Sequence, residues 1–328
     1  MPERNSMKKI IKITKVTFIV IAAILVVFTA IHQILTIVER RENPAIGKSV
    51  TVKGKQMNLS ILGEGKNTIV LLPGLGTSAP VLDFMPLAKD LAKDNQVVIV
   101  EPFGYGWSDI ISEERTIEME VEEIRSALHT AQIAGPYILM PHSISGLHSI
   151  YYANTYPEEV AGIIGIDCTL PKMVEYFDEG CPQEMPLIAG QLSSIGVMRL
   201  MTLLAPDNFI SDNSKHYYTE ENLTMQKCIA SWKASNKNVI DEMNHISDSI
   251  SKTHDMTFQD NLPVLLFSSD DSELTPREDG KTSLSFYETY ITNPTLQKVI
   301  TLNGPHYLHW TCKDEICYYV QSFIKECY

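Results

Sequence analysis

The 328-residue sequence predicts an α/β fold: a mainly parallel sheet with helices on both faces, an inserted helical cap and one N-terminal transmembrane helix. Three observations lead to this prediction. Short apolar runs, typical of buried strands, alternate with amphipathic helical segments, which is the pattern of a parallel sheet covered on both faces. The alternation stops over residues 171–258, which are rich in methionine and helical in pattern. A run of 23 residues without Lys, Arg, Asp or Glu, residues 16–38, precedes the globular body.

The strands and helices of the body follow from hydrophobic periodicity and turn residues. A hairpin is expected at 50–62, because alternating residues flank Lys53-Gly54-Lys55. Buried strands are expected at 68–72, 97–100, 137–140, 160–166, 263–268 and 298–302. Helices are expected at 81–93, 117–131, 144–156, 283–291 and 316–324.

Composition and charge exclude several classes of protein. The chain is 44% apolar and 20% charged, which excludes a disordered chain and a coiled-coil rod. A formal net charge of −13 opposes nucleic-acid binding by bulk attraction. Residues 1–41 hold seven basic and two acidic residues, so a basic head precedes an acidic body. All six cysteines lie in the second half, and their spacing leaves disulfides and free thiols equally open.

The uncharged run at 16–38 is long enough to cross a bilayer. Five basic residues precede it, and only Arg40 and Arg41, each beside a glutamate, follow it. The positive-inside rule therefore places the N-terminus in the cytoplasm and the body on the extracytoplasmic side. A cleaved signal peptide and a buried soluble helix are the alternatives. Phe28 at −3 from Ala30 makes a poor cleavage site, which favours an uncleaved signal anchor.

These observations predict a linear organisation with a single globular body. Its expected parts are a cytoplasmic basic head at 1–15, a single-pass membrane anchor at 16–38, a linker at 39–47 and a domain at 48–328 with its cap at about 171–258.

A serine stands at the expected turn between a strand and a helix, in the segment Pro141-His142-Ser143-Ile144-Ser145-Gly146. A serine on such a tight turn holds its hydroxyl out over the sheet edge, where it can act as a nucleophile. The strained turn needs small residues two places before and after the serine; Ser145 fits this requirement well and Pro141 less well. An ordinary helix N-cap is the alternative interpretation.

A glycine turn at residues 72–76, LPGLG, follows another buried strand and leaves backbone N–H groups free to bind an anion. One interpretation is an oxyanion loop that donates the N–H of Leu75. The other is a dinucleotide fingerprint, because residues 74–79 fit G-x-G-x-x-A and Glu101 follows about 20 residues later. The hairpin before the strand favours the oxyanion loop, since the fingerprint usually opens the first βαβ unit.

A histidine just after the last expected strand is a candidate general base. His306 follows the strand at 298–302 and can lie over the same sheet edge as Ser143, where it could accept the serine proton. His309 is the alternative base. A zinc site built from His306, His309 and Cys312 has no standard ligand spacing in its favour.

The acid that would orient this histidine has three candidates. Asp270 and Asp271 follow the strand at 263–268, and Asp167 ends the strand before the cap. A carboxylate at either place can fix the histidine tautomer and stabilise its charged form. The order Ser143, Asp271, His306 along the chain agrees with one known triad order.

Taken together, these motifs resemble the α/β-hydrolase superfamily, in its serine-nucleophile branch with a helical cap, over roughly residues 48–327. The matching stretches occur in the family's order at 68–76, 97–109, 137–146, 263–271 and 304–310. The resemblance implies Ser143 as the nucleophile and His306 as the base. A serine at this position does not support the aspartate nucleophile of the dehalogenase and epoxide hydrolase branches.

The resemblance also implies the remaining parts of the site. The backbone N–H groups of Leu75 and Ile144 match the oxyanion hole. Asp271 matches the family's acid best, with Asp270 and Asp167 as alternatives. No metal ion and no organic cofactor is required by this chemistry.

The resulting hypothesis is a membrane-anchored serine hydrolase that cleaves a carboxylic ester by acyl transfer. The apolar cap and the membrane anchor suggest a lipid-like ester, and nucleic acid is not an expected partner. One alternative is an aminopeptidase or amidase of the same fold, which would use acidic residues of the cap to bind the substrate amine. The cap offers Glu175, Asp178, Glu179 and Glu184 for this. The other alternative is a catalytically inactive, membrane-anchored binding protein.

Overall fold

The computed structural model describes residues 2–270 and 279–328, with side chains from residue 7 onward. Its first element is the helix α1, Pro2–Glu42. By length and composition alone, α1 is able to cross a membrane. Most apolar side chains of α1 are exposed. The helix continues through the first four residues of the expected linker at 39–47, so the segment that connects it to the body is shorter than expected.

The described residues form one sheet of eight strands in the spatial order β1-β2-β4-β3-β5-β6-β7-β8. The strands are β1 (Lys48–Val52), β2 (Lys55–Leu62), β3 (Thr68–Leu72), β4 (Gln96–Glu101), β5 (Tyr137–Pro141), β6 (Val160–Ile166), β7 (Val264–Ser269) and β8 (Gln297–Leu302). The hairpin β1–β2 and the pair β2–β4 are antiparallel, and every other pairing is parallel. The predicted mainly parallel sheet is therefore confirmed.

Helices cover both faces of the sheet. After α1 they are α2 (Pro80–Leu91), α3 (Ile117–Thr130), α4 (Ser145–Thr155), α5 (Met173–Tyr176), α6 (Val197–Leu204), α7 (Glu220–Lys233), α8 (Lys237–Asn244), α9 (Ile246–Thr253), α10 (Ser283–Glu288), α11 (Leu308–Thr311) and α12 (Lys313–Cys327). Short 3-10 turns lie at Pro157–Glu159, Leu187–Gln191 and Pro206–Phe209.

The sheet divides the core into two layers. Along β3, Val70 and Leu72 pack into the layer that includes α3 and α4, while Ile69 and Leu71 pack into the layer that includes α2 and α12. This alternation follows from the period of two in a strand, whose successive side chains point to opposite faces. A strand buried on both faces must be apolar throughout, which is why β3 and its neighbours were visible in the sequence.

The segment between β6 and β7 is described throughout and forms helices α5–α9 without a strand. It covers the edge of the sheet where the parallel strands end, with α7 against α2 and α9 against α4. The inserted helical cap that the sequence predicts at about 171–258 matches this segment. All six cysteines lie within the described residues, and each carries a free thiol.

The end of α1 is held against the cap by a charged contact. Arg199 of α6 binds both carboxylate oxygens of Glu39, at 2.6 and 2.7 Å. The indole Nε1 of Trp232 in α7 donates to the same carboxylate at 2.7 Å. Glu39 therefore belongs to a docked helix end and not to a free linker.

Candidate active site

Ser143 occupies a strained turn between β5 and α4. Its φ is +52°, a left-handed conformation that is uncommon for a residue with a side chain. Two backbone hydrogen bonds to the ends of β3 and β6 fix the turn. His142 N donates to Leu72 O at 3.0 Å, and Ser143 N donates to Ile166 O at 3.3 Å. Strain of this kind persists where the surroundings fix it, and it clusters at functional sites. The strand–turn–helix context expected from the sequence is present.

Two close backbone approaches explain the small residues around this turn. A Cβ at Gly146 would collide with the carbonyl oxygen of Thr169, so only glycine fits there. A Cβ at Gly74 would lie 3.0 Å from the Cβ of Ser143. Ser145 is tolerated because its hydroxyl donates to Pro73 O. The glycine loop after β3 and the serine turn after β5 are therefore in direct contact.

His306 lies within hydrogen-bond distance of Ser143. It belongs to the loop between β8 and α11, and its Nε2 is 2.9 Å from the Ser143 Oγ. The other ring nitrogen, Nδ1, is 2.6 Å from Oδ2 of Asp167. A carboxylate only accepts hydrogen bonds, so Nδ1 carries the hydrogen and Nε2 presents a lone pair to the serine hydroxyl. This is the tautomer that a general base needs.

Asp167 follows β6 directly and is mostly buried, with 11% of its side chain exposed. Its backbone is also left-handed, with φ +40°. Three donors point at the carboxylate: the Nδ1–H of His306 and both the N–H and the hydroxyl of Ser269 at the end of β7. The Asp167 carboxylate is therefore held in one orientation, toward His306.

Of the other two candidate acids, the structure describes only Asp270. Asp270 follows β7, and its backbone N–H donates to Leu302 O at 2.8 Å, which continues the pairing with β8. Its side chain is exposed and makes no hydrogen bond to His306. Asp271, the acid that the family resemblance favoured, lies outside the described residues. Of the candidates that the structure describes, Asp167 is the one in contact with His306.

His309, the alternative base, is buried away from the serine. Its Nε2 is 2.7 Å from Oδ2 of Asp83 on α2. The same Asp83 carboxylate accepts from the indole of Trp310 at 2.6 Å and from the hydroxyl of Ser211 in the cap at 2.9 Å. His309 therefore joins α11 to α2 and to the cap.

Two backbone N–H groups beside Ser143 are available to bind an oxyanion. The N–H groups of Leu75 and Ile144 donate no hydrogen bond within the described part of the chain, whereas those of Gly76, Ser143 and Ser145 do. Gly76 N donates to the Tyr105 hydroxyl at 3.2 Å, and Thr77 N donates to Gly74 O at 3.2 Å. These two hydrogen bonds fix the loop on both sides of Leu75. The N–H groups of Leu75 and Ile144 are the two donors that the sequence suggested.

His142, immediately before the serine, packs against His306, the candidate base. Its ring is fully buried, 4.8 Å from the ring of His306 between centroids, and its Nε2 is 3.2 Å from the backbone oxygen of His306. Burial lowers the pKa of His142 well below its ordinary value. The ring is therefore neutral, and it can donate through Nε2 to that carbonyl oxygen.

A buried polar pair that no sequence motif indicates, Tyr105 and Glu242, lies behind the oxyanion loop. The Tyr105 hydroxyl accepts from Gly76 N and donates to Oε2 of Glu242 on α8 at 2.6 Å. Burial, together with the charge of Glu120, raises the pKa of Glu242 to about 8. Glu242 is therefore protonated at neutral pH. Tyr105 lies in the GYG stretch that marked the family resemblance, but its partner is 137 residues away.

Ligand atoms of Glu120, His148 and Glu242 lie within 4.8 Å of one another, close enough to hold a metal ion. The Arg115 guanidinium already lies 3.3 Å from Glu120, and the His148 Nε2 is 2.9 Å from the same carboxylate. A cation would have to displace these partners, so the donor set fits ion pairing better than metal binding.

The carboxyl group of Glu101 also makes hydrogen bonds within the fold. It is fully buried and accepts from Asn58 Nδ2 at 3.0 Å, Val81 N at 3.2 Å and Trp107 N at 2.7 Å. Burial raises the pKa of its carboxyl. A carboxylate enclosed in this way cannot reach a ribose, which removes the support for the dinucleotide interpretation of the glycine loop.

A cavity of about 200 Å³ lies between the sheet domain and the cap. It is lined by Gly76 and Thr77 of the oxyanion loop, by Tyr307 and Trp310, and by residues 208–211 of the cap. Gly76 and Tyr307 are chain neighbours of Leu75 and His306, so the cavity adjoins the site. The four acidic residues that an aminopeptidase would need, at 175, 178, 179 and 184, are exposed on the surface of the cap.

With this geometry established, comparison with known proteins identifies the family. The model of the alpha/beta hydrolase fold family matches residues 67–312, three quarters of the chain. This chain belongs to the alpha/beta hydrolase fold family. It is also 27% identical over 325 residues to the uncharacterized protein YbdG of Bacillus subtilis (strain 168), covering 98% of this chain and 99% of that relative.

Solved structures of this family have the same fold at low sequence identity. The epoxide hydrolase VrEH1 of Vigna radiata is similar with a TM-score of 0.66 at 15% identity, covering 85% of this chain and 97% of that one. The enol-lactonase of Burkholderia xenovorans LB400 is similar with a TM-score of 0.61 at 15% identity, covering 85% of this chain and all of that one. A meta-cleavage product hydrolase of Pseudomonas fluorescens IP01 is similar with a TM-score of 0.58 at 17% identity, covering 86% and 99%. At these identities the likeness concerns the fold.

Proposed function

We propose that this member of the alpha/beta hydrolase family is a serine hydrolase that cleaves carboxylic esters through Ser143, His306 and Asp167. One observation carries the proposal: the continuous contact from Ser143 Oγ to His306 Nε2 at 2.9 Å and from His306 Nδ1 to Asp167 Oδ2 at 2.6 Å. An inactive binding protein has no need for this alignment.

The proposed reaction proceeds in two acyl-transfer steps. Ser143 Oγ attacks the ester carbonyl carbon while its proton passes to His306 Nε2, which then protonates the leaving alcohol. Asp167 stabilises the imidazolium ion that forms. Water, activated by the same Nε2, then attacks the acyl-serine and releases the carboxylic acid. No metal ion or organic cofactor takes part.

The negative charge of each tetrahedral intermediate would be held by the N–H groups of Leu75 and Ile144. Both belong to segments that the fold holds in place, so they would not need to reorganise during the reaction. Loss of one donor of this kind typically costs about 2.7–4 kcal/mol of transition-state stabilisation. The Tyr105 hydroxyl, bonded to Gly76 N, would keep the Leu75 N–H aimed at the site.

The substrate class follows from the surroundings of the site. The cavity beside Gly76 and Tyr307 is small, so it fits a short acyl or alcohol group and not a whole lipid. We propose that α1 anchors the enzyme in a membrane with its catalytic body on the extracytoplasmic side. A lipid-like ester, whose remaining chains stay outside the cavity, suits that location. The exposed cap acids do not support binding of a substrate amine.

Purified full-length protein in detergent micelles provides the test. A fluorophosphonate probe should label the wild type and not the Ser143→Ala variant. Among substrates, p-nitrophenyl esters of increasing chain length should be hydrolysed, and aminoacyl p-nitroanilides should not. Labelling without ester turnover but with anilide cleavage would favour the amidase alternative. An absence of both labelling and turnover would favour the inactive binding protein.

A further inference from the structure

The cap exposes apolar side chains over one short stretch of chain. Among the described residues outside α1, thirteen large hydrophobic side chains are exposed, and nine of them fall between residues 185 and 204. We call these nine the apolar patch: Met185, Leu187, Ile188, Leu192, Ile195, Leu200, Met201, Leu203 and Leu204. Exposed apolar surface concentrated in this way marks an interaction site.

In helix α6 the exposed apolar side chains lie together on one face of the helix. Leu200, Leu203 and Leu204, at spacings of three and four, form one helix face, and Leu203 is 75% exposed. Met198 and Thr202, on the opposite face, are buried against the cap. A surface helix of a water-soluble protein packs its apolar face against the protein core. Here both faces are largely apolar, so the outward face requires a partner.

The middle of the patch lies alongside α1. The cap contacts the C-terminal half of the helix, because Gln33 Nε2 donates to Ser194 O at 2.6 Å and a Cβ at Gly196 would lie 2.8 Å from the Cβ of His32. Three residues later, Arg199 reaches Thr36 and Glu39. Helix α6 therefore starts beside residues 28–33 of α1 and runs in the same direction.

This position places the middle of the patch, around Ile195, at the depth of the proposed membrane span. If residues 29–38 are flanked by the cap, the uncovered part of the span at 16–38 has 13 residues, residues 16–28. At about 1.5 Å per residue these reach about 20 Å, whereas a hydrocarbon core is about 30 Å thick. The missing length, about 10 Å, must come from the part of α1 that carries the cap. The cap therefore has to enter the outer leaflet.

The charge of the segment fits that environment. Residues 185–204 contain one charged residue, Arg199. Its guanidinium is paired with both oxygens of Glu39, and its Nε also contacts Nδ1 of His32 at 3.0 Å. A charge at the edge of a bilayer is tolerated when it is paired within the protein, so this arginine does not oppose insertion.

We infer that the cap enters the outer leaflet of the bilayer that α1 crosses, with the apolar patch before Arg199 among the acyl chains and the patch residues after Arg199 at the interface, so that the enzyme is held by a helix and by its cap together. The occupant of the patch is the acyl-chain region of the lipid. The inference rests on the proposed membrane anchor and is independent of the proposed ester chemistry. Residues 208–211, which line the cavity, follow α6 within the cap, so a substrate group leaving the bilayer has a short path to the site.

Depth-dependent fluorescence quenching tests this in the full chain. The variants Ile188→Trp and Ile195→Trp place a tryptophan on the patch, and Tyr318→Trp places one at an exposed site on α12 as the matched control. Each protein is reconstituted into phosphatidylcholine vesicles, purified by flotation, and compared with lipid brominated near the headgroup end of the acyl chains. The wild-type spectrum, which comes from the three native tryptophans, is subtracted from the spectrum of each variant.

We expect the added fluorescence at 188 and 195 to be blue-shifted and mostly lost in brominated lipid, and that at 318 to be unchanged. Equal fluorescence in plain and brominated lipid at all three sites would overturn the inference, and so would equal quenching at all three. Energy transfer between copies without quenching by lipid would assign the patch to a second copy of the chain and overturn it as well. A chain that does not float with vesicles would overturn the anchor. None of these results depends on ester turnover.

Discussion

Ser269 holds the carboxylate of Asp167 with two hydrogen bonds, from its N–H to Oδ1 at 3.1 Å and from its hydroxyl to Oδ2 at 2.9 Å. Oδ2 also accepts from His306. The end of β7 thus orients an acid that comes from the end of β6. Since both strands pair in parallel, their carboxyl ends meet at the same edge of the sheet, and this contact follows from the strand order.

The two described candidate acids give a matched pair of variants. Asp167→Asn keeps the shape of the side chain but favours the wrong tautomer of His306, and this exchange costs about 10⁴-fold in kcat in serine proteases. Asp270→Asn changes an exposed side chain without contact to His306, so kcat should stay within about twofold, since a larger change would need a lost interaction. Steady-state hydrolysis of a p-nitrophenyl ester measures both. A large loss at Asp270 with little at Asp167 would remove Asp167 from its proposed role.

The two histidines at 306 and 309 should separate activity from stability. His306→Ala should abolish turnover with little change in Tm, because its ring is about half exposed. His309→Ala leaves the buried Asp83 without one of its three donors, which should lower the free energy of unfolding by about 1–3 kcal/mol while kcat changes little. Denaturation and ester hydrolysis on the same preparations give both numbers. Equal losses of kcat in the two variants would mean that the base is wrongly assigned.

Tyr105→Phe tests the support of the oxyanion loop. The variant removes the acceptor of Gly76 N and the donor to Glu242, but it keeps the buried ring. We expect kcat to fall about tenfold, the equivalent of about 1.4 kcal/mol of transition-state stabilisation, with KM nearly unchanged. A purely structural role would instead lower Tm and leave kcat intact.

Glu242 should make stability depend on pH. The folded protein raises the pKa of Glu242 to about 8, whereas the unfolded chain releases this proton near the ordinary value of 4.5. Between these values the folded state binds the extra proton, so the free energy of unfolding falls as pH rises. Glu242→Gln cannot ionise, so its Tm relative to the wild type should increase from about pH 5 to about pH 8. A Tm difference that stays constant or shrinks over this range would contradict the assigned pKa.

Local patterns predicted the fold and two of the site residues. The strands at 68–72 and 160–166 have the predicted bounds, because each is an apolar run enclosed by turn residues. Ser143 and His306 each follow a predicted strand, and the structure brings their side chains together. In each case the prediction depends on a few residues that are neighbours in the sequence.

The remaining features depend on which distant segments meet. The sequence showed an Asp after β6 and another pair after β7 but not the contact between Asp167 and His306, since that requires the order of strands in the sheet. The contact between Tyr105 and Glu242 joins a loop to a cap helix, and no periodicity encodes it. The contact of Arg199 with Glu39 likewise connects α1 to the cap, so the expected linker could not be recognised as a docked helix end.

The central claim, that Ser143 carries the acyl group, is tested most directly by trapping the acyl-enzyme. Full-length protein in micelles is mixed with a p-nitrophenyl ester, quenched in acid within the first turnover and digested, and the peptide containing Ser143 is analysed by mass spectrometry. The account predicts the mass of the acyl group on Ser143 in the wild type and none in the Ser143→Ala variant, whose Tm should be unchanged. An acyl group on another residue, or a Ser143→Ala variant that hydrolyses the ester at the wild-type rate, would contradict it.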